Sequence, residues 1–83
     1  MKDRIHTVTI TILDRNAAFR LVGEVLHQFA EHILLRVGYP LQEHNVAVIF
    51  LVVDISTDDM GALSGRLGQI PSVKVKAHPL PIV

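Results

Sequence analysis

The side chains able to do chemistry are few and scattered. There are five histidines, His6, His27, His32, His44 and His78, and no cysteine. A transition-metal site needs several matched imidazole, thiolate or carboxylate ligands. His27 and Glu31, four apart in a predicted helix, supply two. The histidines therefore read as solvated imidazoles, and no metal or other cofactor is expected. Gly61, Gly65, Arg66 and Gly68 form a glycine-rich run, but it sits inside a predicted helix. A phosphate loop would join a strand to a helix N-terminus and end in Lys-Ser/Thr. These glycines, which share one helix face, read as room for close helix packing. Ser64 lies in the same helix and not in a nucleophile elbow. No catalytic residue is expected, and the chain reads as a non-enzyme. Arg36 interrupts an apolar strand just before Gly38. Its planar fork suits two-point contact with an anion or carboxylate, or it is an edge-strand arginine facing water.

Composition sets outer bounds. Eighty-three residues make one domain, taken as residues 1–83. The net charge is zero and 49% of residues are hydrophobic. Such a chain is not disordered and lacks the basic footprint of a protein that binds nucleic acid directly. The absence of cysteine excludes disulfides and fits a cytoplasmic location. Residues 1–4 lead into alternating Thr and aliphatic residues, not the continuous apolar stretch of a signal peptide. The longest apolar run, residues 46–53, is far shorter than the roughly 20 residues of a membrane span. The chain reads as soluble, complete and without a membrane partner.

The elements that must position these residues follow from periodicity. Residues 6–13 alternate, with Val8, Ile10 and Ile12 on one side and Thr7, Thr9 and Thr11 on the other. That is a strand. Asp14 or Asn16 can cap a helix over about residues 15–30. Its stripe is Ala18, Val22, Val25 and Phe29, widened by Leu21 and Leu26. Gly23 within it suggests close approach to a neighbour. Residues 33–37 form a second strand, ended by Gly38, Tyr39 and Pro40. A polar connection over residues 41–45 leads to a third strand at residues 46–53. A second helix follows, capped by Ser56 or Thr57, with the stripe Met60, Leu63, Leu67 and Ile70. A fourth strand alternates Val73, Val75 and Ala77 with Lys74, Lys76 and His78. The order βαββαβ predicts an α+β, ferredoxin-like sandwich. It has a four-stranded antiparallel sheet, both helices on one face, and strands one and three at the centre.

One strand conflicts with that plan. Helices cover one sheet face, and the other face should be polar if it meets water. Strand three is apolar on both sides, with Val46, Val48, Phe50 and Val52 opposing Ala47, Ile49, Leu51 and Val53. A second copy of the chain covering the open face resolves this, as a homodimer or homotetramer. The interface would then rest on Phe50 or Leu51, whichever points away from the helices. Tyr39 either joins that interface or covers the core beside Pro40.

Residues 33–40 (ILLRVGYP) and 61–70 (GALSGRLGQI) resemble a family of short proteins described as iron-only hydrogenase system regulators. Asp14-Arg15 and the apolar residues 49–53 fit the same pattern. The resemblance implies a fold related to ACT regulatory domains and to the C-terminal domain of the nickel-responsive repressor. It also implies a cytoplasmic, oligomeric regulatory or ligand-sensing protein. A small-molecule effector or a hydrogenase-system protein would be its partner. The alternative is an assembly module with no small ligand. ACT domains that bind amino acids typically carry a glycine in the turn after the first strand. Here that turn is Leu13-Asp14-Arg15-Asn16. The nickel sensor uses several histidines and a cysteine, and here there is no cysteine and no His-x-His. Asp14, Arg15, Asn16 and Arg36 remain the candidate ligand-binding residues.

Overall fold

In the computed structural model, residues 4–81 are described. The expectations about residues 1–3, and the outer ends of the range 1–83, lie outside them. Strand β1 (Arg4–Ile12) is followed by helix α1 (Arg15–Gln28), β2 (Ile33–Leu41), β3 (Val46–Ile55), α2 (Thr57–Gly68) and β4 (Val73–Pro79). The strands form one antiparallel sheet in the order β2-β3-β1-β4. The expected ferredoxin-like βαββαβ arrangement is what the chain adopts, with β1 and β3 central.

The alternation of β1 sets the layers. Val8, Ile10 and Ile12 are buried, while the threonines between them are half-buried on the opposite face. The rungs Val8–Leu51 and Ile10–Ile49 carry the buried set into β3, where Ala47, Ile49, Leu51, Val53 and Ile55 complete the floor of the core. Ala18, Val22 and Leu26 of α1 and Met60, Leu63 and Leu67 of α2 close it from above. Asp14 and Ser56 cap the two helices through their side-chain oxygens, each accepting from a backbone N–H of the first turn.

Several expectations give way here. Strand β2 does not stop at Gly38; it runs through Tyr39 and Pro40 to Leu41. Its edge position explains this, because half the N–H groups of an edge strand point away from the ladder and a proline can occupy such a place. Leu21 is exposed and does not belong to the core stripe. Helix α1 ends at Gln28, so Glu31 falls in a 3-10 turn and is not a helical neighbour of His27. His6 is buried beside the Arg4 carbonyl and is not a solvated imidazole. The close-packing account of the helical glycines also fails within the subunit. A Cβ at Gly23, Gly61, Gly65 or Gly68 would meet nothing within 4 Å. Tyr39 is 64% exposed, which removes the core-covering reading.

Candidate functional site

Two surfaces emerge, one on each face of the sheet. The first is built where α1 starts. Asp14 Oδ1 accepts from the Ala17 N–H at 3.3 Å and from Asn45 Nδ2 at 2.9 Å. Asn45 Oδ1 accepts from the Asn16 N–H at 3.2 Å, and the Asn45 carbonyl accepts from the Arg15 N–H at 2.8 Å. Asn45 adopts a left-handed backbone, φ 55° and ψ 34°, which asparagine tolerates better than most residues. This clasp ties the helix start to the end of the β2–β3 connection.

Beside the clasp, α1 and the edge strand leave a groove of about 140 Å³. Arg15 and Phe19 form its helix side, and residues 38–40 and 47–49 form its strand side. Gly38 pairs with the buried Ile49, so it belongs to the helix-covered face. Its missing side chain opens the strand side of the groove. The Arg15 guanidinium carbon lies 5.1 Å from the Phe19 ring centroid, a cation–π distance. Arg15 Nε is buried and has no hydrogen-bond partner among the described residues.

Of the four candidate ligand residues, Arg15 alone lines this groove. Asp14 and Asn16 belong to the clasp. Arg36 pairs with Leu51 on the helix side of β2, is exposed, and is not part of the lining. Sequence reasoning misses three participants: Asn45, which falls in the connection over residues 41–45; Phe19, which lies off the helix stripe; and Gly38, which reads as a strand terminator. An aromatic residue off the stripe and a glycine inside a strand were the available signals.

The second surface is the open face of the sheet. The register lines up Leu35–Val52–Thr7–His78, Val37–Phe50–Thr9–Lys76 and Tyr39–Val48–Thr11–Lys74, with Leu41–Val46 beyond. Phe50 is 49% exposed at the centre of the apolar half. Leu51 is 1% exposed under the helices, so the interface candidate Leu51 is corrected to a core residue. Side-chain alternation forces this, since Leu51 faces Val8 and Phe50 faces Thr9.

Among the described residues no group of three or more His, Cys, Asp or Glu is placed to hold a metal ion. The Glu31 carboxylate lies 3.8 Å from His32 Nε2, while His32 Nδ1 lies 3.2 Å from the Asp54 carbonyl oxygen. No described helix is long and apolar enough to cross a membrane.

The sheet order and paired helices define a domain of the ferredoxin-like fold. The ACT domain of a GTP pyrophosphokinase from Chlorobium tepidum superposes with a TM-score of 0.75 at 19% identity, covering 94% of this chain and 99% of that one. At that identity the likeness shows the fold. Residues 4–77 match the TM1266-like family, whose description reads "Iron-only hydrogenase system regulator, putative", and the chain belongs to that family. It is similar throughout to the uncharacterized protein TM1266 from Thermotoga maritima, with 54% identity, a TM-score of 0.91 and coverage of 95% of this chain and 99% of that one. No curated protein matches it.

Proposed function

We propose that this chain is a non-catalytic regulatory domain of the iron-only hydrogenase system that works in the cytoplasm as a homodimer, its subunits stacked through the open sheet faces. The carrying observation is the apolar half of that face. Leu35, Val37, Tyr39, Leu41 and Phe50 are all exposed there, continuous with half-buried Val46, Val48 and Val52. Covering on the order of 300 Å² of apolar surface per subunit contributes about 7 kcal/mol per subunit before association costs. Four strands about 4.8 Å apart, each with about eight residues rising about 3.3 Å, present a face of about 500 Å² in projection. That footprint is below the roughly 600 Å² per partner at the lower end of stable specific interfaces, where about 800 Å² is standard, and favours a reversible dimer. A twofold axis through the β2–β3 half lets the same patch cover itself. Further association into a tetramer would use the β2 edge.

Regulation requires a second input, a small-molecule effector or a protein of the hydrogenase system. Direct contact with nucleic acid is not part of the proposal, because the open face carries two lysines and the chain is neutral overall. Light scattering at tens of micromolar protein tests the assembly. The expected mass is twice that of the chain or a multiple of it, and a clean monomer would defeat the proposal.

A further inference from the structure

We propose that the groove between α1 and β2 is a binding site for a small monocarboxylate with an apolar body. As an effector site it deepens the regulatory reading and rests on it; as a binding site it opens on the helix side of the sheet, with Arg15, Phe19 and Gly38 outside the proposed dimer contact and only Tyr39 and Val48 bordering both. Three observations converge.

Gly38 has no backbone reason to be glycine. No glycine in the described chain has a positive φ, and a Cβ at Gly38 would meet only Ile49 Cγ1 at 3.9 Å, an ordinary contact. Glycine inside a strand weakens it and often marks close approach by a ligand or another backbone. Here the missing side chain opens the floor of the groove.

Arg15 supplies the charge. Its Nε is buried without an acceptor among the described residues, and leaving a buried donor unpaired is costly. A carboxylate is the acceptor that matches a guanidinium edge, through charge-assisted bonds. The cation–π contact with Phe19 holds the guanidinium without using its N–H donors.

The rest of the lining sets the class. Apart from Arg15, the described lining is Phe19, Gly38, Tyr39, Pro40 and aliphatic side chains, with no carboxylate among these residues. An α-ammonium group there would be desolvated with no anion to pair it. The lining therefore selects against amino acids and in favour of simple carboxylates. Its volume of about 140 Å³ is close to that of an apolar protein cavity that takes up benzene, about 150 Å³. Benzoate and branched short-chain carboxylates are of that size.

The test titrates the isolated protein with sodium benzoate, following backbone amide shifts by NMR, with phenylalanine and benzamidine as controls at matched ionic strength. Saturable shifts at Arg15, Phe19 and Gly38 are expected with benzoate and not with either control. Arg15→Gln should weaken binding about tenfold or more. Gly38→Val, which fills the groove with a residue suited to a strand, should abolish it while the spectrum stays folded. Absence of saturable shifts, equal binding of phenylalanine, or full binding by folded Gly38→Val would each overturn the site. Light scattering on the same samples keeps the outcomes separate, because loss of the site leaves the sheet-face dimer intact.

Discussion

Strand β3 gives the same kind of side chain to both faces of the sheet, and the two faces treat them differently. On the helix side, Ala47, Ile49, Leu51 and Val53 are all at most 2% exposed. On the open side, Val46, Val48 and Val52 are half-buried and Phe50 stands out. The neighbours differ as well. The helix side continues into aliphatic residues of β1, whereas the open side divides into an apolar half on β2 and β3 and a Thr/Lys/His half on β1 and β4. One face is saturated by its own chain. The other is satisfied along two of its strands and leaves apolar side chains exposed along the other two.

The largest effect should come from the saturated face. Leu51→Ala removes a fully buried side chain beneath the helices, and such truncations cost about 2–5 kcal/mol. Urea unfolding should show that loss at every protein concentration. A loss below about 1 kcal/mol would mean that the helix layer does not seal this face.

Next is Phe50→Lys on the open face. It places a charge at the centre of the apolar half in both subunits, and the few positions that carry about 2 kcal/mol or more cluster near interface centres. Dimerisation should weaken at least about thirtyfold, read by sedimentation equilibrium, while the monomer stays folded. If the mutant keeps its mass, the face does not carry the assembly and β2 edge pairing takes its place.

These two adjacent residues also show what the sequence could and could not reveal. The alternation of β1, each helix start to within two residues (Asp14 or Asn16, Ser56 or Thr57) and the helical stripes apart from Leu21 were legible because each depends on residues within a few positions. Strand β3 was legible as a strand but not as to which side faced the helices, because both sides are apolar. Only the rung Val8–Leu51, formed across the chain, decides that. Pro40 hid the length of β2, since the penalty for a proline depends on whether the strand is an edge. The groove was least legible. Arg15, Phe19 and Gly38 meet only after α1 crosses the sheet, and the Asp14–Asn45 clasp links residues 31 apart.

A third surface, the outer side of the helix layer, belongs with the solvated regions. Gly65 is exposed in mid-helix, and a Cβ there touches nothing within 4 Å. Gly65→Ala should raise stability by about 0.5–1 kcal/mol, measured by thermal or urea unfolding, with no change in mass. Destabilisation or altered assembly would show that another chain approaches this helix, making the helix layer an interface too.

The smallest effect is expected at Lys76, and it bears on where the open face divides. Lys76 shares a rung with Thr9, Phe50 and Val37, so it lies on the same face as the proposed contact but at its far edge. Two positions of the twofold axis are distinguishable there. With the axis through the β2–β3 half, β4 hangs outside the contact and the Lys76 ammonium stays in water, where a charge change is worth little. With the axis through the sheet centre, β4 of one subunit lies over β2 of the other, and Lys76 is desolvated against Val37 or its neighbours. An exposed ammonium interacts weakly and is screened by salt within about 8 Å, whereas a desolvated one carries a large penalty. Lys76→Glu should therefore change the dimer dissociation constant by less than about threefold, with little dependence on salt. A change beyond about tenfold would move the axis to the sheet centre and show that the Thr/Lys/His half is part of the contact.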